Sequence, residues 1–193
     1  PDLFAGANLT TMVENDQIIA IDDLPGGPEL MAKYRSEHFI EGRTLKDGKC
    51  YSVPYSATTR ALVYNKDMFR AAGLVDENGE PTPPKTLDEL REYAKILTNP
   101  EKKEYGIIFP AKWAAWFGED IMNMSMASGS YMDGYNPANA MFDYTKMAPV
   151  MKTIMGIKED GSYSPGAENL DNDPARARFA QGGIGMKTAA SYD

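Results

Sequence analysis

Apolar residues in this chain fall at helical spacing in some stretches and in short β-branched or aromatic runs in others. The clearest helical stripe is Leu87, Leu90, Ala94 and Leu97. Thr86 and Glu89 open it as a capping box, with Glu89 reaching back to the Thr86 amide. That helix should end near Asn99-Pro100. Trp113, Trp116, Phe117, Ile121, Met124 and Ala127 predict a second helix over 112–128. Met147, Val150, Met151, Ile154 and Ile157 predict a third over 146–157, with Pro149 near the first turn, where proline is tolerated. A fourth has Asp173 as its cap, Pro174 at its first position and Gly182 or Gly183 at its end. Shorter helical stretches are read at 8–15 and 30–39. Between them lie an apolar run at 17–21 and the breaker cluster DDLPGGP at 22–28.

Strands are predicted around Val53 and Tyr55, at 61–64, at 105–110 (YGIIFP) and at 184–190. Pro54 puts the first of these at an edge or a break, because proline cannot donate to a ladder. Asn65 reads as the N-cap of a helix over 66–72, which Gly73 ends in the left-handed conformation. The segment 42–49 is a charged turn; 75–85, 129–136 and 156–170 are loops or turns. Strands alternating with helices predict an α/β architecture with a mostly parallel sheet and ligands at the strand ends.

A chain of 193 residues makes one ordinary domain or parts of two. Its hydrophobic share of 42% and charged share of 25% are those of a globular protein in water. A net charge of −8 argues against nucleic acid as a partner, since phosphates want clustered Lys and Arg. The lone cysteine, Cys50, excludes an intrachain disulfide and a multi-cysteine metal site. The lone histidine, His38, leaves no Ser/His or His-metal cluster and reads as a surface residue. There is no run of 18 apolar residues.

The acid clusters Asp22-Asp23, Asp76-Glu77 and Asp171/Asp173 lie in turns or at helix starts, where acids cap and solvate. No pair stands out as the two carboxyls a glycosidase needs. The glycines of GGIG at 182–185 follow a helix instead of preceding one, so they form no phosphate cradle. Trp113 opens a helix directly after a strand and can stand at a crevice rim, where a flat ring stacks on the apolar face of a sugar. Core packing is the competing reading for it. Trp116, Phe117 and Met122, Met124, Met126, Met147, Met151 and Met155 read as core. Ser56–Arg60 is a polar crossing between two apolar strands, and Tyr55 and Arg60 are candidate ligand contacts there. Arg60 reads equally as an interlobe salt-bridge residue.

The string YSVPYSATTRALVYNKDMFRAAGL, followed by PPKTLDEL, resembles the segment that enters the hinge in extracellular solute-binding proteins of ABC importers. The group it resembles is the sugar-binding, maltose-binding-protein-like one. That resemblance implies a two-lobed periplasmic-binding-protein-like α/β fold, here partial. Residues 1–57 would be part of the first lobe, 58–59 the hinge crossing and 60–193 most of the second lobe. The start, Pro1-Asp2-Leu3-Phe4, reads as the end of a strand, and the chain as an internal portion of a longer protein.

The resemblance also implies roles. Trp113 matches an aromatic that stacks on the ligand, and Tyr192 a second aromatic place where tryptophan is common. Asp193 would accept hydroxyl hydrogen bonds. Thr58 matches a hinge position that is acidic in maltose-binding members, and Asn8 a polar contact of the first lobe. The implied function is binding of a sugar or oligosaccharide between closing lobes and delivery to a membrane permease. No reaction and no cofactor are implied, and a monomer is expected. Its place would be extracellular or periplasmic, with lipid anchoring through an absent N-terminus. The alternatives are a binder of a charged small solute (a polyamine or amino-sugar), a carbohydrate-active hydrolase, and a structural or adhesion module.

Overall fold

Asn65 and Thr86 decide where two helices of this chain begin. The Asn65 Oδ1 accepts from the Asp67 and Met68 amides at 3.0 and 3.1 Å, which starts α3 (Lys66–Ala71). Gly73, at φ +73°, follows the end of that helix as predicted. The Thr86 hydroxyl accepts from the Glu89 amide at 3.1 Å and starts α4 (Leu87–Ile96). Glu89 returns to the Lys85 amide at 2.6 Å rather than to that of Thr86. A glutamate is long enough to satisfy the donor one residue further out.

The computed structural model describes residue 3 and residues 8–41, 44–56, 58–136 and 139–193. It divides into two compact units, Pro1–Ala57 and Thr58–Asp193. The strand end expected at 1–4 lies outside the described residues, except for Leu3.

In the second unit, β3 (Arg60–Tyr64), β4 (Tyr105–Ile108) and β7 (Ile184–Ala190) form one sheet in the order β3-β7-β4. Strand β7 runs antiparallel to β3, with Arg60 opposite Ala190, and parallel to β4, with Ile107 opposite Met186. The sheet is therefore mixed rather than mostly parallel. Alternation of strands and helices carries no information on the direction of an edge strand. Every residue of the central strand β7 is buried.

Helices α4, α5 (Ala114–Ala127) and α6 (Met147–Glu159) pack with the sheet around Phe69, Leu90, Ile107, Phe109, Ile121, Val150, Ile157 and Met186. Burying each such side chain is worth about 1.5–3 kcal/mol. Gly106 lets α4 press onto β4, because a Cβ there would lie 2.0 Å from the Ala94 carbonyl oxygen. Ile108, one residue beyond Ile107, joins a separate cluster with Ala167, Ala175 and Ile184, as strand alternation requires.

Several expectations fail locally. Met126, Met151 and Met155 are exposed, not core, and so is Ala127 at the end of its stripe. Helix α7 (Asn172–Ala180) is capped at Asp171, not Asp173, and Pro174 is its third residue. Asp173 instead pairs with Arg176, at 3.0 Å. The loop at 129–136 contains β5 (Tyr135–Asn136), which pairs with β6 (Met141–Phe142).

The first unit holds α1 (Leu9–Glu14), α2 (Gly27–Met31) and the hairpin β1 (Leu45–Lys46)–β2 (Lys49–Cys50). Helix α2 starts inside the supposed breaker cluster, and only a 3-10 turn at Ser36–His38 follows where more helix was expected. The strand expected around Val53 and Tyr55 is absent. Strand β2 ends at Cys50, which pairs with Leu45 and donates its amide to the Asp22 carboxylate at 2.7 Å. Pro54 beyond it has no N–H to give.

Candidate functional site

Two strand ends of the second unit carry the exposed rings. Past β4 the chain reaches Trp113, which caps α5 with extended backbone and so stands in front of the helix. It is 58% exposed. Past β7 a tight turn carries Tyr192, 61% exposed. Between them lies Trp116, one helical turn after Trp113 and only 6% exposed. Its ring centroid is 6.3 Å from that of Trp113 and 6.3 Å from that of Tyr192, the latter edge to face. The Trp116 indole N–H is buried and has no hydrogen-bond partner among the described residues.

Arg60, at the start of β3, turns inward. Its guanidinium carbon lies 3.9 Å over the Trp116 ring, within cation–π range. Its nitrogens pair with Asp120 at 3.1 Å and with Glu119. The other Asp120 oxygen accepts from the Thr188 hydroxyl at 2.9 Å. Burial pushes the Asp120 carboxyl above the usual carboxylate range, against the pull of Thr188 and Arg60. A groove of about 360 Å³ opens beside Arg60 and Asp120, walled by Leu62, Leu87, Phe109 and Met124, but none of the three rings lines it.

On the far side of β7, the Asp193 side chain is only 4% exposed. It accepts from the Ala190 amide at 3.0 Å, from Asn172 at 2.7 Å and from Arg176 at 3.0 Å, and lies 3.5 Å from the Lys187 ammonium. Burial raises its carboxyl, but the Ala190 amide, Asn172 and Lys187 together outweigh that and hold it below the usual range. Lys187 is itself buried, which lowers its ammonium, and it donates to Asn172 at 2.8 Å and to the Thr188 carbonyl at 2.6 Å.

The structure thus brings Trp113, Tyr192, Arg60 and Asp193 into one region. The Asp193 carboxylate is engaged by internal donors that close the turn under Tyr192. The Arg60 guanidinium pairs with Asp120 and Glu119 of the same unit. Thr58 is exposed at the start of this unit. Asn8 and Tyr55 belong to the other unit. The Asn8 Oδ1 accepts from the Thr11 amide at 3.1 Å and caps α1, and Tyr55 is 85% exposed.

Trp116 is buried, as its stripe implies, whereas the sequence reading assigns nothing to Asp120 or Lys187. One signal was available: Asp120 falls four residues after Trp116, a charge on an otherwise apolar stripe. Among the described residues, no group of three or more His, Cys, Asp or Glu could hold a metal ion. Nor is any helix among them long and apolar enough to cross a membrane.

The model of the bacterial extracellular solute-binding protein family matches residues 1–193. The chain belongs to that family. The sn-glycerol-3-phosphate-binding periplasmic protein of Escherichia coli (strain K12) is 31% identical over 155 residues, covering 76% of this chain and 32% of that protein. A solute-binding protein of Agrobacterium radiobacter K84, solved with ribitol, superposes with a TM-score of 0.68 at 21% identity, over 93% of this chain and 43% of its own. One from Thermotoga lettingae TMO, solved with α-D-tagatose, gives 0.65 at 22% identity, over 94% and 45%. At these identities the structures establish the shared fold, the two-lobed α/β one of which this chain spans a part. The chain covers less than half the length of the curated relatives it matches.

Proposed function

We propose that this chain is part of the substrate-binding subunit of an ABC importer, and that it holds a neutral sugar, polyol or oligosaccharide against Trp113 and Tyr192. The observation that carries the reading is the pair of rings, 58% and 61% exposed, flanking a buried third. An exposed aromatic face with no covering group is an apolar surface suited to the apolar face of a pyranose or polyol. The ribitol and tagatose complexes of proteins with the same fold support this class of ligand.

A polyamine or other cation fits less well. Asp193 and Asp120, the nearby carboxylates buried with the rings, already have internal partners. A phosphorylated polyol is the second reading, favoured by the 31% identical glycerol-phosphate binder.

In this reading residues 1–57 form part of one lobe and 60–193 most of the other, with Thr58 and Thr59 as the crossing. Asn8, Tyr55 and Thr58 are the further polar ligand contacts in this reading. The ligand favours the closed form by binding it better, and the closed form docks on the permease. Nothing is done chemically to the ligand.

The test is titration of the full chain with ribitol, D-tagatose, chitotriose, sn-glycerol-3-phosphate and spermidine, read by calorimetry, thermal shift and tryptophan emission. One neutral compound should bind, raise Tm and change the emission, with no reducing ends released. Trp113→Ala should weaken that binding about tenfold or more. Binding of spermidine alone, or turnover of any sugar, would overturn the reading.

A further inference from the structure

We infer that Arg60, held by Asp120, is a positioning residue that fixes the ring of Trp116 and through it the spacing of Trp113 and Tyr192. This rests on the reading of those rings as a binding surface. Three observations carry it. The guanidinium carbon stands 3.9 Å from the Trp116 centroid, so the flat cation covers one face of the indole. Nη1 donates to Asp120 and Nη2 to Glu119, and the Arg60 side chain is 12% exposed. Asp120 is in turn locked from the sheet by Thr188, at 2.9 Å.

The chain of support therefore runs from β7 through Asp120 and Arg60 to Trp116, and no member of it is a free ligand group. Both outer rings touch Trp116 at 6.3 Å, so a rotation of that indole moves both. An indole whose N–H has no acceptor is not held by its own hydrogen bond, and the covering guanidinium supplies the restraint.

The sequence holds two tryptophans, so Trp113→Phe leaves Trp116 as its single tryptophan, excited selectively at the red edge of the absorption band. In that background acrylamide should quench Trp116 weakly. Adding Arg60→Met together with Asp120→Asn, which removes the cation and its buried counter-charge at once, should raise quenching clearly while the thermal melt stays cooperative. Arg60→Lys keeps a cation without the flat fork and should fall between. Unchanged quenching in the Met/Asn variant overturns the inference. Should that variant not fold, unchanged quenching in Arg60→Lys does the same.

With Trp113 intact, Arg60→Lys and the Arg60→Met/Asp120→Asn pair should weaken binding of whichever of ribitol, D-tagatose or chitotriose the parent binds, by about tenfold for the latter. Arg91→Met, at an ion pair away from the rings, should leave that binding unchanged. A parent that binds none of the three refutes the binding reading, while the quenching result still decides the role of Arg60.

Discussion

Strand β7 carries a buried charge group on each face, and the two are built differently. Thr188 faces Asp120, whose carboxylate is 1% exposed and has one cation, Arg60, within bonding distance. The next side chain along, Lys187, faces Asp193, which has two cations, an amide and a backbone N–H around it. The same residue type is pushed up on one face and held down on the other. Asp120 lies deeper than Asp193, so desolvation weighs more heavily on it, and Asp193 has more donors to set against its own burial. One group braces the ring of Trp116; the other closes the turn that bears Tyr192.

The sharpest way to break this contrast is to remove one cation from each face. Arg60→Ala leaves Asp120 buried without its charged partner and should cost about 3 kcal/mol in urea unfolding. Lys187→Met leaves Asp193 with Arg176, Asn172 and the Ala190 amide, so its cost should be nearer about 1 kcal/mol. Equal losses would mean that donor count is not what separates the two faces.

Acid titration sharpens the same contrast. Asp193 sits below its ordinary value of 3.8, so the stability it contributes is present above that value and lost as pH falls through the lower one. Asp120 sits above 3.8, so its contribution is present below that value and lost as pH rises through the higher one. Urea melts across this range should therefore show the advantage of the parent over Asp193→Asn shrinking on acidification. Its advantage over Asp120→Asn should shrink as pH rises. The smallest effect belongs to Arg176→Met: that arginine is 41% exposed, and its loss should cost about 0.5 kcal/mol.

Much of the scaffold was legible because its signals are local. Asn65, Thr86 and Gly73 act through their own backbone neighbours, and the stripes of α4 and α6 repeat at the helical period. The exposed place of Trp113 is one of the two readings that its position between a strand and a helix allowed. The misreadings share a cause in partners distant along the chain. Asp22 accepts the Cys50 amide from 28 residues away, a contact that no local pattern announces. The exposed faces of Met151 and Met155 depend on which side of α6 helices α4 and α5 occupy.

Residue types and spacing alone determined that this chain alternates strands with capped helices and stands aromatic residues at strand ends. Those features arise from interactions within a few residues. Which charges are buried, which rings meet and whether Asp193 faces a ligand or its own turn were decided by tertiary structure. Arg60 and Asp120 are 60 residues apart and Lys112 and Asp171 are 59, and only the packed sheet brings such pairs within reach.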